Sequence, residues 1–388
     1  MYELKKVALI NFHYAFNYGA VLQALALSIV LKRNNCEVDI IDYRPFYQMQ
    51  FYIEYPNPIG AFFWRYAALW DLGIARRFLS ASKCALITLK NYFYADKRRK
   101  LKTAFEPFLS SNFELTEMYK SLSELRKRPP EADIYVCGSD QIWNPKVTSG
   151  LDPAYYLDFG ESDIKRVAYA VSPSGKLDVK HFNKSLEHLL PKFEAISLRE
   201  AEKKLELEII YGKEIDICLD PTLLLTESDY LRFEEETGES DCYILVYAFN
   251  DGDNEVIKST LDIVVSWYNI KVVDISLDTI EWKNDVVRRQ AVTPGQFLSY
   301  FRNAVCVVTN SFHGTAFSLI YNRQFFTVPK NGTESRTNEL MESLEMGDRV
   351  IKNSMHISIE PIDYNMVNSN IIKLRNKSLE YILEKICM

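Results

Sequence analysis

The sequence is poor in histidine, with five in 388 residues, and its seven cysteines are an odd number scattered singly from Cys36 to Cys387 with no C-x-x-C pair. That spacing offers neither a zinc site nor a disulfide frame and fits a reducing compartment, so free and mostly buried thiols are expected. Long apolar runs are missing as well. The longest, such as Cys242 to Phe249, are strand-sized and fall short of the roughly 18 uncharged residues that span a bilayer. Lys5 and Lys6 precede an apolar stretch that Asn11 and His13 break within a few residues, which is not the pattern of a signal peptide, so a cytoplasmic protein is expected. No H-E-x-x-H, Walker loop, G-x-S-x-G elbow or G-x-G-x-x-G fingerprint occurs, which removes the common zinc-hydrolase, NTPase, serine-hydrolase and NAD readings. Asp251-Gly-Asp253 has the form of a metal pair but leads into a helical stretch and reads as a turn and cap. Neither a metal nor a cofactor is expected.

What is present is the composition of a two-domain globular chain, at about 100 to 200 residues per domain. Lys plus Arg number 46 against 52 Asp plus Glu, so 46 − 52 gives a net charge of −6, and with no nucleic-acid motif this argues against a nucleic-acid partner. Tyrosine (24) and phenylalanine (22) are plentiful; their flat rings suit sugar faces as well as cores.

Periodicity supplies the fold class. Val7 to Phe12 is a short apolar run, Val21, Leu22, Leu25, Ile29 and Val30 share a helical face, and Val38 to Ile41 is apolar again, which together make a βαβ unit. Strand candidates recur at Ile134 to Cys137, Val167 to Val171, Ala195 to Ser197 and Ile215 to Leu219, with helical stretches between them. The acidic, polar stretch from Asp229 to Asp241 reads as the region between domains. A second alternating series follows: Tyr243 to Phe249, a helix to about Trp267, Lys271 to Ile275, a helix opening at Thr293-Pro294, Val305 to Thr309, a helix from His313, and Gln324 to Val328. The expectation is an α/β protein of two doubly wound, Rossmann-like domains with a cleft between them. The N-terminal domain is assigned to 1–228, the C-terminal domain to 229–365, and a last helix at 366–388 is expected to pack back across the linker.

One segment inside the first domain, 60–105, departs from the acidic average. Between Arg65 and Lys102 lie ten basic and two acidic residues, Asp71 and Asp96, interleaved with Phe, Trp, Tyr and Leu at roughly helical spacing. Such a surface suits anionic lipid headgroups or a lipid-linked substrate, which would place the protein peripherally at the inner membrane face. A core-facing helix with a solvated basic side is the alternative.

Ligands of open α/β sheets bind outside the carboxyl ends of strands, so the turns that follow strands are the candidate sites. Four stand out. In Asn17-Tyr18-Gly19-Ala20, Gly19 lets backbone approach a ligand at a helix N-terminus. In Gly138-Ser139-Asp140-Gln141-Ile-Trp143-Asn144-Pro145, a hydroxyl, a carboxylate, two amides and an indole share one loop, although Asp140 can also simply cap a helix. In Ser197-Leu-Arg199-Glu200, Arg199 offers a planar fork for carboxylate or phosphate, with a surface pair to Glu200 as the plainer reading. In Thr309-Asn-Ser-Phe-His313-Gly314-Thr315, a rare histidine stands at a helix N-terminus beside hydroxyls, a place for anion contact or proton transfer. Downstream, the polar loop from Lys330 to Arg336 offers two cations to the same crevice.

At these residues the sequence resembles the polysaccharide pyruvyl transferase family. The resemblance lies in Asn17 to Gln23, Gly138 to Asn144, Ile196 to Glu200, Asp220-Pro-Thr-Leu-Leu224, Ser311 to Phe317 and Ser335-Arg336. It implies a fold like that of GT-B glycosyltransferases, with the active site in the inter-domain cleft. It also implies transfer of a pyruvyl group from phosphoenolpyruvate to two hydroxyls of one sugar in a lipid-linked or nucleotide-linked exopolysaccharide precursor, giving a cyclic ketal. On that resemblance His313 is the phosphate ligand or proton donor and Arg199, Gly314, Thr315, Arg336 and Lys330 bind the donor. Asp140 accepts a hydroxyl proton, while Asn17, Tyr18, Gly19, Ser139, Gln141, Trp143 and Asn144 line the substrate side. Many relatives carry Arg two residues before this His, where the present chain has Ser311, so Arg336, or less readily Lys330, must replace that guanidinium. Two other functions fit the same pattern: a GT-B glycosyltransferase using a nucleotide sugar, and an inactive glycan-binding or scaffold protein at the membrane.

Overall fold

The structure, a computed structural model, describes residues 4–49, 52, 56–68, 74–250, 254–330, 334–353 and 357–388. The Asp251–Asp253 turn, residues 331–333 of the polar loop and residues 69–73 of the basic segment, Asp71 among them, lie outside the described residues.

Two parallel sheets form the frame. The first contains β1 (Lys5–Ile10), β2 (Cys36–Tyr43), β3 (Leu115–Tyr119), β4 (Ile134–Cys137), β5 (Lys165–Val171), β6 (Ala195–Leu198) and β7 (Asp216–Ile217), in the order β3-β2-β1-β4-β5-β6-β7. The second contains β8 (Tyr243–Tyr247), β9 (Lys271–Asp274), β10 (Val286–Arg288), β11 (Cys306–Thr309) and β12 (Gln324–Thr327), in the order β10-β9-β8-β11-β12. Every neighbouring pair is parallel. Helices on both faces bury the central strands, which is why β4, β8 and β11 read as unbroken apolar runs. In each sheet the strand order reverses once, between β1 and β4 and between β8 and β11, and a crevice opens at that reversal. The expected class, α/β with two doubly wound sheets, is the one found.

Two strands have no counterpart in the apolar pattern. In β3 only Tyr119 is buried, and β10 is half-buried throughout, because both are edge strands ordered by pairing with one neighbour.

The principal helices used below are α1 (Tyr18–Arg33), α2 (Pro58–Ala68), α3 (Ile74–Lys90), α4 (Ala95–Asn112), α5 (Pro294–Asn303), α6 (Phe312–Ile320), α7 (Glu334–Ser343) and α8 (Tyr364–Ile382). Helix α1 is buried from Tyr18 to Leu31, on every face, because it lies in the seam between the sheets. The Tyr18 ring stacks on Phe105 of α4 at 5.1 Å and on Phe297 of α5 at 4.5 Å, and its hydroxyl donates to the Val292 carbonyl at 3.0 Å. One continuous apolar core therefore joins β1 and α1 to β8, β11, α5 and α6. Helix α8 runs back to the first sheet: the Ser378 hydroxyl accepts from the Leu219 amide at 2.9 Å and the Tyr381 hydroxyl donates to the Ala168 carbonyl at 3.0 Å.

Candidate active site at the domain seam

The site is built from strand ends. Ser311 caps α6, its hydroxyl accepting from the Gly314 amide at 3.3 Å, and thereby sets His313 in the first turn. Gly314 is required by packing: a Cβ there would lie 2.1 Å from the Thr309 hydroxyl oxygen of β11. From the other domain Asn17 caps α1, and Gly19 meets the His313 ring so closely that an added Cβ would lie 2.0 Å from Nδ1. Two helix N-termini thus converge on one imidazole, and neither has an acidic residue in its first turn. Both present the positive end of a helix dipole to this point.

Below the imidazole lies a buried charge cluster. Arg199 leaves the end of β6 and forks, Nη1 donating to Asp220 Oδ2 at 2.5 Å and Nη2 to Asp140 Oδ1 at 3.4 Å, while its guanidinium covers the Phe312 ring at 4.4 Å. Asp220 is 1% exposed. Its Oδ1 accepts from the Thr222 amide and hydroxyl at 3.0 and 2.7 Å, and its Oδ2 faces His313 Nε2 at 3.5 Å. Burial opposes ionisation of Asp220, but His313, Arg199 and the Thr222 amide outweigh it and hold the carboxyl well below the usual range. Burial likewise opposes the charge on Arg199, and Asp220, Asp140 and Glu200 reverse that and raise its pKa. Glu200 is fully buried rather than on the surface; Oε1 accepts from the Ser172 hydroxyl at 2.6 Å and the Ser174 amide at 2.9 Å. Burial raises its pKa despite Arg199.

Arg336 of α7 brings a second guanidinium to this cluster. Burial and repulsion from Arg199 pull its pKa down to about 10. The Nε atoms of Arg199 and Arg336 and Nε2 of His313 are buried without a hydrogen-bond partner; Arg199 Nε faces Glu200 Oε2 at 3.8 Å and His313 Nε2 faces Asp220 Oδ2 at 3.5 Å, both beyond hydrogen-bond reach. A cavity of about 440 Å³ opens on the side of Arg199 and Arg336, lined also by Asp220, Phe312 and Glu339 but not by His313 or Asp140. That volume lies in the range of small-ligand sites.

Asp140 departs most from ordinary backbone geometry. Its φ of 68° and ψ of −169° fall in a region that essentially only glycine occupies, and its side chain makes no capping bond. The neighbouring β5 slips register between Ala168 and Val171, with Ala170 at φ 47°, where the Ala170 carbonyl accepts from Ser139 at 2.7 Å. The bulge and the strained turn together aim Asp140 at Arg199.

Other candidates lie elsewhere. Tyr18 is in the seam described above. Trp143 is buried against Tyr156 at 4.6 Å, its indole donating to the Tyr155 carbonyl at 3.0 Å. Asn144 donates to Gln141 Oε1 at 2.8 Å and accepts from the Lys146 amide at 3.0 Å, bonds that hold the loop. The Thr315 hydroxyl donates to the Ser311 carbonyl and accepts from the Thr327 hydroxyl inside the second domain. Lys330 stands over the Phe249 ring at 5.4 Å. These contacts join the five to residues other than Asp140, Arg199, Asp220 and His313.

Two features escape sequence reasoning. In the sequence Asp220 is legible only as part of the Asp220–Leu224 stretch that carries the resemblance, with no role of its own, and Glu200 only as a surface partner of Arg199. Further along the first sheet, His13 Nε2 lies 3.0 Å from Asp42 Oδ1, which also accepts from Arg44 Nε at 2.5 Å. His13 Nδ1 and both amide atoms of Asn11 are buried and unpartnered there. Nothing in the local pattern of β1 signals this cluster, because Asp42 joins it across the sheet. Among the described residues no group of His, Cys, Asp and Glu is arranged to hold a metal ion.

Several solved structures are similar over the full length. The UDP-N-acetylglucosamine 2-epimerase of Rickettsia bellii is 10% identical, with 99% of each chain covered and a TM-score of 0.48. The UDP-GlcNAc 2-epimerase of Methanocaldococcus jannaschii, in complex with UDP-GlcNAc and UDP, is 12% identical, with 98% of each chain covered and a TM-score of 0.47. An α-glucosyltransferase in complex with UDP and DNA is 8% identical over 99% of this chain and 96% of that one, at a TM-score of 0.46. No curated protein matches the chain. The sequence profile of polysaccharide pyruvyl transferases, in contrast, matches residues 17–329, from the cap of α1 through the end of β12. The span takes in the Gly19 turn, Asp140, Arg199, Asp220 and His313, and the protein belongs to the polysaccharide pyruvyl transferase family.

Proposed function

We propose that the protein transfers a pyruvyl group from phosphoenolpyruvate to two hydroxyls of one sugar in a cell-surface polysaccharide precursor, in the cytoplasm, with release of phosphate. The observation that carries this reading is the pair of guanidiniums, Arg199 and Arg336, whose Nε donors are unspent beside His313 and two helix N-termini. Asp220, Asp140 and Glu200 already offset the charge of Arg199, whereas the charge of Arg336 is opposed by burial and by Arg199, so an anion with several acceptor oxygens would stabilise Arg336, and phosphoenolpyruvate carries both a phosphate and a carboxylate. Arg336 thereby takes the place of the arginine absent at Ser311.

In this reading His313 donates a proton to the enol methylene, which leaves positive character at the adjacent carbon. One sugar hydroxyl adds to that carbon and passes its proton to Asp140. The second hydroxyl adds as the C–O bond to phosphate breaks, and the protons of the two hydroxyls return to His313 and leave with phosphate, closing the ketal. Arg199 and Arg336 hold the donor, and Asp220 fixes Arg199 and faces His313. Asn17 and Gly19 border the sugar on the N-domain side, with Ser139 and Gln141 behind Asp140.

Thermal stability with added ligand tests the reading. Phosphoenolpyruvate at a hundredfold excess over its Kd should stabilise by about 2.7 kcal/mol, an effect lost in His313→Ala and Arg336→Met. A shift with a nucleoside diphosphate and none with phosphoenolpyruvate would replace the reading by a glycosyltransferase. No shift with either, together with unaltered polysaccharide in cells carrying His313→Ala, would leave a binding or scaffold protein.

A further inference from the structure

The basic segment folds as a helical hairpin that leaves the C-terminal end of β2, the sheet edge that also carries the β1 turn and the Asp140 loop. Helices α2 and α3 pack on each other: the Phe62 and Phe78 rings meet at 5.5 Å, Arg65 Nε donates to the Ser80 hydroxyl at 3.2 Å, and Arg77 Nε donates to the Tyr66 carbonyl at 3.0 Å. At 100° per residue, α3 then divides into three strips. Arg77, Ala81, Cys84 and Thr88 form the strip turned toward α2, with Ala81 and Thr88 buried. Ile74, Phe78, Leu79, Leu86 and Leu89 form a second strip, 74, 56, 69, 61 and 53% exposed. Arg76, Lys83 and Lys90, seven residues apart, form a third strip alongside it, and all three are exposed.

Ile59 and Phe63 of α2 and Phe93 and Tyr94 after α3 are exposed as well. So many large apolar side chains in one region exceed the scattered exposure normal for a soluble surface and mark an interaction site. The charge beside them selects the partner. From 72 to 95 the sequence holds no acidic residue, within a chain whose net charge is −6. An apolar strip flanked by a row of long cationic side chains is the pattern of a helix lying in the interface of an anionic bilayer, rings and aliphatic chains among the acyl chains and ammonium and guanidinium groups among the phosphates. A two-fold dimer through the same face would set two cation rows near each other.

We infer that the α2–α3 hairpin docks the protein on an anionic membrane surface, with the exposed strip of α3 inserted at the headgroup boundary. Arg77 is committed to Tyr66, Arg98 is buried in α4, and Arg99 and Lys100 pair with Asp96, so the lipid-facing row is Arg76, Lys83 and Lys90. Docking would bring the seam site to a lipid-linked sugar. In that respect the inference deepens the function proposed above, but its test does not depend on catalysis.

The full chain is sedimented with vesicles of equimolar phosphatidylglycerol and phosphatidylcholine, and with phosphatidylcholine alone, at low and high salt. Binding is expected to the mixed vesicles, falling with salt. At about 1 kcal/mol, or about fivefold, per cation, the triple variant Arg76→Gln, Lys83→Gln, Lys90→Gln should bind about a hundredfold more weakly. The triple variant Phe63→Ser, Leu79→Ser, Leu86→Ser should lose binding at every salt concentration, and both variants should keep the wild-type melting temperature and ligand shifts. Wild-type protein that ignores the mixed vesicles at low salt, or variants that bind as wild type does, would overturn the inference. So would a dimer in sedimentation equilibrium that the apolar variant alone converts to monomer, which assigns the face to a second copy of the chain.

Discussion

Replacing Gly19 by alanine tests the geometry of the seam most directly. The new Cβ would sit 2.0 Å from His313 Nδ1, whereas carbon and nitrogen atoms pack at about 3.5 Å, so the ring must retreat by about 1.5 Å. A misplacement of about 1 Å can cost a hundredfold in rate, equivalent to about 2.7 kcal/mol in the barrier. Folding should not suffer in proportion, because alanine is better than glycine inside a helix by about 0.5 to 1 kcal/mol, which offsets part of the strain. Two readouts separate the effects. Ring proton–nitrogen correlation spectra, readable with only five histidines, should show the His313 resonances displaced and the other four unchanged. The phosphoenolpyruvate-dependent melting shift should fall sharply in Gly19→Ala. In the background His313→Ala, where the ring is gone and the ligand shift is already lost, the same substitution should no longer lower the melting temperature measured without ligand. An unmoved His313 signal would refute the claim that the glycine exists to admit this ring, and additive losses in the double variant would refute the claim that it acts through His313.

Three further outcomes are expected. Asp140→Gly removes backbone strain of about 1 to 3 kcal/mol and should melt no lower than wild type while losing turnover; a clear drop in melting temperature would mean the carboxylate stabilises the fold. Glu200 has a raised pKa in the folded protein, so its contribution is full below the unfolded value of about 4.3 and is lost as pH rises through the folded value. Glu200→Gln should therefore stabilise at neutral pH and not at pH 4; Asp220, with a depressed pKa, behaves oppositely and loses its contribution as pH falls below about 4. In Tyr18→Phe the Val292 carbonyl loses its donor in the buried seam, which should cost about 1 to 3 kcal/mol in urea unfolding without changing ligand shifts; a lost ligand shift would return Tyr18 to the site.

Much of the fold is legible in the chain order. The apolar runs at β1, β4, β8 and β11 stand out because central parallel strands are covered on both faces, and the caps of α1, α5 and α6 are written in Asn17, Thr293 and Ser311. Edge strands β3 and β10 are not legible, since pairing with a neighbour rather than side-chain pattern orders them. Within the site, His313, Arg199 and Asp140 are visible as unusual residues after strands. Trp143 and Tyr18 look equally unusual, yet both are buried in cores, because an aromatic ring with one polar atom satisfies a core and a ligand site alike.

The sequence by itself determined the class of fold, the turns where chemistry can sit and the resemblance that the match over residues 17–329 bears out. Those are properties of residue type and spacing along the chain. The tertiary structure decided which of those turns meet: that Gly19 of one domain receives His313 of the other, that Asp220 and Glu200 enclose Arg199, and that the cations of α3 stand beside an uncovered apolar strip. Such contacts join residues up to hundreds of positions apart, and their strength depends on burial and distance, which only the folded chain sets.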